Sequence, residues 1–273
     1  MQVVTANRRR LAIAAALMCL GTSSTAIAQS TPPVPAKYRR FFAQYVDRRS
    51  MIEKVLNVAG ITQQDVGRSI ALVAGVSRYP RLPVGSRYFS PAEADRNQLV
   101  EYLKEEEFFD EVVVLWDEDM NPENLSYFLK EYFPKRLSAF PRSRFLFAYS
   151  GHGFSDGTDG YLLRTSAKNF SDKSAAISLQ SLRGMMNGVV ESGYYVLVLL
   201  NSCYAGAFLN NKSFGGRYLP KERGAHAITA GAAQEKAWSD SRLGPGSVFF
   251  EKVFAELGGC GGPRSRPRRN YHS

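Results

Sequence analysis

Residues 194–206 read Tyr-Tyr-Val-Leu-Val-Leu-Leu-Asn-Ser-Cys-Tyr-Ala-Gly. The run from Tyr194 to Leu200 is unbroken in its apolarity. A strand with one wet face alternates apolar and polar residues, so a continuous run implies a strand covered on both faces. It stops at Asn201, and small residues follow Cys203 closely. A cysteine at the carboxyl end of a buried strand sits where open α/β sheets gather their function.

Outward from this segment the pattern recurs. Ile70–Val76 is a second continuous apolar run, and Val112–Trp116, Phe145–Tyr149 and Ala225–Thr229 read as further strands. Segments of helical character lie between them. Pro91–Leu103 keeps Ala92, Ala94, Leu99, Val100 and Leu103 to one side, and Asn121 before Pro122 marks the start of a helix over Pro122–Phe133. Leu179–Val190 includes another helix and Val248–Leu257 is the last. Buried strands separated by helices predict a layered α/β domain around a mostly parallel sheet.

Ahead of that domain, Thr31–Ala36 is a Pro-rich linker. Tyr38–Val58 carries Phe41, Phe42, Tyr45, Val46, Ile52, Val55 and Leu56 at roughly helical spacing, with Gly60 as a stop, and so predicts a helix. The start of the chain has a different character. Arg8, Arg9 and Arg10 precede an apolar run from Leu11 to Gly21, and small residues follow, closing with Ala26-Ile27-Ala28. That order is the order of a secretory signal peptide, and it predicts cleavage after Ala28 and export to a periplasmic or extracellular space. The apolar run is shorter than a bilayer requires, so no stable membrane insertion is expected after cleavage. The chain then divides into 1–28 as signal peptide, 29–68 as linker and N-terminal helix, 69–257 as the layered α/β domain, and 258–273 as a Gly/Arg-rich tail expected to be disordered.

The formal net charge of +10 invites a nucleic-acid reading, but its location argues against one. Residues 1–28 hold three Arg and no acid, and residues 261–273 hold Arg264, Arg266, Arg268 and Arg269 with no acid, which leaves +3 for everything between. A surface that tracks phosphates belongs in the folded body, interleaved with aromatics. Metal and cofactor sites are not expected either. Asp156-Gly157-Thr158-Asp159-Gly160 lacks the spacing and terminal Glu of a calcium loop and reads as a tight turn.

Of the cysteines, Cys19 lies in the signal segment and Cys260 in a run of glycines, so Cys203 is the one that calls for an explanation. The strand Phe145–Tyr149 runs into Ser150-Gly151-His152-Gly153, where flanking glycines let the backbone turn sharply and expose the imidazole. If the two strands are neighbours, His152 and Cys203 emerge side by side. A free thiol is mostly protonated at neutral pH, and the thiolate is the nucleophile. A nearby imidazole can take that proton and later deliver it to a leaving amine. The backbone N–H groups of Gly153 and Cys203 are candidates for the oxyanion hole. His226 lacks glycine flanks and reads as structural, and His272 lies in the tail.

Ser-Gly-His-Gly at 150–153 and Ser-Cys-Tyr-Ala-Gly at 202–206 resemble the two catalytic signatures of the caspase, metacaspase and paracaspase superfamily. Their separation also matches the spacing of about 50 residues in that superfamily. The resemblance runs from about Ile70 to Leu257 and includes Gly75-Val76, Ala94-Asp95 and Gly160-Tyr161-Leu162-Leu163. It implies a three-layer caspase-like fold and an endopeptidase without a catalytic metal, acting on proteins or peptides. His152 is then the general base and acid, Cys203 the nucleophile that forms a thioester acyl-enzyme, and Gly153 an oxyanion-hole contributor.

Two features depart from the resemblance. Metacaspase-like members carry Asp two residues before the cysteine to receive a basic substrate side chain, and Asn201 stands there instead. With Arg78 and Arg81 after the first strand, Asn201 predicts a pocket that prefers neutral or acidic residues to basic ones. Members also continue past the last helix into another strand, where this chain turns to Gly and Arg. These departures lend some weight to the alternative, a catalytically silent caspase-like module that binds proteins, against which the intact His152–Cys203 pair argues. The segment Ala207–Gly224, with Lys212, Arg217, Lys221 and Arg223, reads as a basic loop in the region where relatives are cut during activation.

Overall fold

The structure, a computed structural model, describes residues 34–46, 58–60, 67–140, 142–209, 224–237 and 245–259, all within one unit spanning 31–273. The elements in chain order begin with a short helix α1 (Ala36–Arg39) and strands β1 (Phe42–Tyr45) and β2 (Ser69–Gly75). Helix α2 (Ser90–Glu105) and strand β3 (Glu111–Trp116) follow, then α3 (Pro122–Ser126), a π-helical stretch Tyr127–Tyr132 and α4 (Phe133–Ala139). Next come β4 (Arg144–Ser150), β5 (Gly153–Ser155), β6 (Gly160–Leu163), β7 (Ala176–Ser178) and α5 (Leu179–Ser192). The described elements end with β8 (Tyr195–Asn201), β9 (Gly224–Thr229) and α6 (Val248–Gly259).

Six strands form one sheet in the order β1-β3-β2-β4-β8-β9. Every pairing is parallel except β1 with β3. The continuous apolar runs are explained by what covers them. Alternate residues of each strand enter two separate clusters. Ile70, Leu72, Phe145, Phe147, Val196, Val198 and Leu200 pack against Phe128, Phe133, Leu137, Leu182, Met186 and Val189 from the α3–α4 segment and α5. Ala71, Val73, Leu146, Ala148 and Leu199 face the other way, against Leu99 and Leu103 of α2 and Phe250 of α6. Helices on both faces of a mostly parallel sheet make the three-layer α/β fold that the strand pattern predicts.

Asn121 caps α3 as expected, its side chain accepting from the Asn124 N–H at 3.0 Å. The helical stretch continues beyond Phe133 to Ala139. Pro134 has no N–H to give to the carbonyl four residues back, and the turn before it widens into the π-helical stretch.

The expected helix over Tyr38–Val58 needs correction. Only Ala36–Arg39 is helical before Phe42–Tyr45 turns into an edge strand, with Gln44 opposite Val112 and Tyr45 opposite Glu111. The physical reason is tertiary. The outer edge of β3 presents backbone groups that need partners, and Phe42 gains ring contacts with Phe128 at 6.0 Å and Tyr132 at 5.6 Å. Phe42 and Tyr45 fit a helical spacing equally well, so periodicity could not separate the two states. Residues 47–57 lie outside the described residues, while Val58 and Ala59 are helical and Gly60 has φ +68°, as its role as a stop requires. The signal segment, the basic residues at 212–223 and the tail with Cys260 also lie outside them. The start of the expected basic loop is a 3₁₀ helix, Ala205–Leu209.

At the amino end of the sheet, Glu111 is fully buried and held from three directions. Arg136 Nε donates at 2.9 Å, Tyr132 Oη donates at 2.8 Å, and Arg68 Nη2 stands at 3.3 Å. Burial and the adjacent Glu111 carboxylate push the Tyr132 phenol far above its ordinary pKa. This charged knot lies at the end of the strands opposite to the one that carries His152 and Cys203.

Candidate active site

β4 and β8 pair in parallel with Ser150 opposite Asn201. His152 and Cys203 each follow two residues later, at adjacent strand ends. The Gly151 N–H donates to the Asn201 carbonyl at 3.2 Å, which extends the pairing past the strands. Gly153 brings the two turns into contact. A Cβ built on it would lie 2.7 Å from the Cys203 carbonyl oxygen, 3.0 Å from that of Tyr161 and 3.1 Å from Ser202 Oγ. A side chain there would force the two turns apart, so the backbone after His152 lies directly against the backbone of Cys203 because residue 153 is glycine.

The turn after Cys203 is held from the far side. Tyr204 adopts φ +59°, a left-handed conformation costly for a bulky residue, and its N–H donates to the Glu235 carbonyl at 2.7 Å. The Gly206 N–H donates to the Gly231 carbonyl at 2.9 Å, and a Cβ at Gly206 would stand 2.5 Å from the backbone at Ala232 and Ala233. The segment after β9 thus clamps the turn, leaving Cys203 partly exposed as a free thiol.

His152 is fixed through its backbone and enclosed through its ring. Its N–H donates to Tyr79 Oη at 2.8 Å, and its carbonyl accepts from the Leu163 N–H at 3.0 Å. The ring centroid lies 4.6 Å from Tyr79, 4.9 Å from Phe89 and 5.3 Å from Phe170. Burial among these rings holds the imidazole below its ordinary pKa of 6.5, opposed by a hydrogen bond to the backbone of Ser86. Such an imidazole is neutral at pH 7 and able to accept a proton. Tyr79 and Tyr149, buried side by side beneath it, are both pushed up by burial and stay protonated.

Asp117, at the end of β3, organises the segment that carries Tyr79, Ser86 and Phe89. It accepts from the N–H groups of Ser77 at 2.7 Å and Arg78 at 3.0 Å, and Trp116 Nε1 donates to Ser77 Oγ at 3.2 Å. The Arg78 guanidinium lies 4.0 Å from Asp117, and Arg78 and Arg81 are exposed. The Asn201 amide is turned inward. It is 3 % exposed, and Nδ2 donates to Asp95 Oδ2 at 3.0 Å and to Ser150 Oγ at 2.9 Å. Asp95 also accepts from Ser150 Oγ at 2.6 Å and from the Ser247 N–H at 2.8 Å. Burial raises its pKa above 3.8 against the lowering effect of these donors. One carboxylate from α2 therefore joins the residues two before His152 and two before Cys203 to the start of α6.

The sequence reading did not identify Asp95, Tyr79, Phe89 or Phe170 as site-building residues. Asp95 left a signal, since it falls on the same helical stripe as Ala92 and Leu99, where an acid is out of place. His226 is exposed on β9. An apolar cavity of about 640 Å³, lined by Leu103, Leu146, Leu199, Ile228, Phe249 and Val253 among others, opens beside β9 and touches neither His152 nor Cys203. Among the described residues no group of three His, Cys, Asp or Glu side chains could hold a metal ion.

Among solved structures, the chain is similar to a structural-genomics protein from Geobacter sulfurreducens at 18% identity and a TM-score of 0.36, over 50% of each chain. It is also similar to caspase-1 from Spodoptera frugiperda at 15% identity and a TM-score of 0.43, over 72% of this chain and 71% of that one. The match thus spans half the length of the Geobacter protein. No curated protein matches the chain significantly. The family model described as the caspase domain matches residues 68–262. That match takes in both strand-end turns and most of the sequence, and the chain belongs to the caspase-domain family of cysteine peptidases.

Proposed function

We propose that the protein is an exported cysteine endopeptidase in which Cys203 attacks the scissile carbonyl and His152 moves the proton. The supporting observation is the register of β4 and β8. Ser150 and Asn201 are partners, so the imidazole and the thiol follow at the same height on neighbouring strands. A neutral imidazole takes the thiol proton, the thiolate bonds to the carbonyl carbon, and the imidazolium protonates the departing amine to leave a thioester. Water then releases the acyl group by the reverse sequence. The backbone N–H groups of Gly153 and Cys203 would receive the oxyanion, in keeping with the close approach of the two turns.

For the residue before the scissile bond, Arg78 and Arg81 supply the exposed charge, while the Asn201 amide is turned inward. This favours an acidic or neutral side chain over a basic one. Residues 1–28 have the make-up of an export signal, which sets the reaction outside the cytoplasm. A second reading, a silent protein-binding relative, draws on the commitment of Asn201 to Asp95 and Ser150.

The two readings separate in one experiment. A peptide library is incubated with the wild-type protein and with Cys203→Ala, and Cys203 is alkylated with iodoacetamide in the wild type and in His152→Ala. Cleavage that depends on Cys203, with alkylation slowed in His152→Ala, is the expected result. Cleavage that persists without Cys203, or alkylation indifferent to His152, defeats the peptidase reading.

A further inference from the structure

Glycines on both sides of His152 let the chain turn, and they also leave the turn without restraint of its own. What holds it comes from outside. The Gly151 N–H and the His152 carbonyl reach backbone partners, the Asn201 carbonyl at 3.2 Å and the Leu163 N–H at 3.0 Å. The His152 N–H goes instead to a side chain, the phenol oxygen of Tyr79, at 2.8 Å.

Tyr79 is held ready to receive it. Its side chain is fully buried, its own N–H donates to the Arg87 carbonyl at 2.8 Å, and its carbonyl accepts from the Leu82 N–H at 3.0 Å. The hydroxyl is hydrogen-bonded to that of Tyr149, which is also fully buried. Tyr149 Oη in turn stands 3.4 Å from the carbonyls of both His152 and Leu163. The donors can be counted. Tyr149 has one hydrogen and gives it to these carbonyls, so its oxygen accepts from Tyr79, whose oxygen accepts from His152. The two phenols thus close a ring from the N–H of His152 to its own carbonyl. Burial keeps both protonated, so neither gives up the hydrogen that the ring needs. Gly151 admits them, since a Cβ there would stand 2.6 Å from Tyr149 Oη and 2.9 Å from Tyr79 Oη.

We propose that Tyr79 and Tyr149 are positioning residues, a pair of buried phenols that clamps the main chain of His152 and thereby aims the imidazole at Cys203. The proposal rests on the peptidase reading above and adds to it two residues that act through His152. A buried hydroxyl ordinarily satisfies whatever polar group lies nearby. These two serve both polar backbone groups of the residue that moves the proton. Tyr79 adds a second restraint, because its ring packs against the imidazole with centroids 4.6 Å apart and planes 38° apart.

Tyr79→Phe keeps the ring and removes the acceptor. The test follows iodoacetamide alkylation of Cys203 in the full chain from acid to neutral pH, for wild type, Tyr79→Phe, Tyr149→Phe and His152→Ala, with urea unfolding to report the folded fraction. Tyr79→Phe should lose about ten-fold in alkylation rate at neutral pH, part of the roughly 10²-fold that a 1 Å misplacement costs. Its acid midpoint should rise toward 6.5 as the loosened imidazole gains water. Tyr149→Phe keeps the acceptor for the His152 N–H and cuts the ring at the carbonyl, so it should move rate and midpoint the same way by less. A purely structural role would lower stability alone. Rate and midpoint unchanged in folded Tyr79→Phe and Tyr149→Phe would therefore overturn the clamp and leave the peptidase standing, and if Tyr79→Phe does not fold, Tyr149→Phe decides by itself. Wild-type alkylation no faster than that of His152→Ala removes both.

Discussion

Asp95→Asn is the smallest perturbation of the group that ties the two strand ends together. The carboxyl faces three donors, with Ser150 Oγ and Asn201 Nδ2 on one oxygen and the Ser247 N–H on the other. An asparagine matches the shape but has one oxygen. With that oxygen kept toward Ser150 and Asn201, its NH₂ confronts the Ser247 N–H. With the amide flipped, Asn201 loses an acceptor and Ser150 must turn its hydroxyl around. A buried donor left without a partner costs about 1–3 kcal/mol, which sets the expected loss where the native carboxyl is protonated, since its hydroxyl oxygen can still accept.

The pH dependence sharpens the test. Burial raises the pKa of Asp95 in the folded chain above 3.8, so the folded state holds this proton more tightly than the unfolded state. The stability from that proton is fully present below 3.8 and is lost as pH rises through the folded pKa. Asparagine does not titrate. The deficit of Asp95→Asn should therefore be largest in acid and narrow toward neutrality, by about 1.4 kcal/mol for each unit by which the native pKa is raised. Urea unfolding of both proteins across pH 4 to 8 measures the gap directly. A gap that widens with pH would mean that the three donors outweigh burial and hold the carboxylate charged, and the account of this site would be refuted.

Three further outcomes follow from other parts of the molecule. Because burial holds His152 below 6.5, iodoacetamide alkylation of Cys203 should lose rate in acid with a midpoint under that value, and Phe170→Ala, which opens the ring to water, should move the midpoint upward. The same shift means that the stability linked to His152 is whole above 6.5 and falls as pH drops from there through the folded value. Gly206→Ala forces a methyl into backbone 2.5 Å away, so it should cost about 1–3 kcal/mol in thermal or urea unfolding and slow Cys203 alkylation by shifting the clamped turn. Arg136→Ala strips Glu111 of its closest cation in a fully buried site; with Arg68 still at 3.3 Å, urea unfolding should show a loss of about 3 kcal/mol while alkylation of Cys203 stays unchanged.

The parallel strands were legible because burial on both faces leaves no room for polar residues, and Ile70–Val76 and Tyr194–Leu200 each fall within about a residue of the strands they announce. The turns with His152 and Cys203 were legible for a related reason: glycine and small residues break an apolar run where the backbone must fold back. β5, β6 and β7 have only three or four residues each, too few for alternation to stand out from a loop. The enclosure of His152 was out of reach altogether. Tyr79, Phe89 and Phe170 arrive from separate loops, and no periodicity links residues that meet only because β2, β4 and the small sheet end at the same place.

Asn201 shows how a correct observation can lead to an incomplete explanation. Read in the sequence alone, it replaces a carboxylate that would greet a basic substrate, and the inference was about substrate charge. In the folded chain its amide is a donor 3.0 Å from a second carboxylate already buried at Asp95. An aspartate at position 201 would set two acids against each other over Ser150 with no cation between them, and one would have to keep its proton. The amide satisfies Asp95 and Ser150 together. The residue type two before Cys203 is thus constrained from inside the protein, by the requirement that Asp95 have donors, before any substrate is considered.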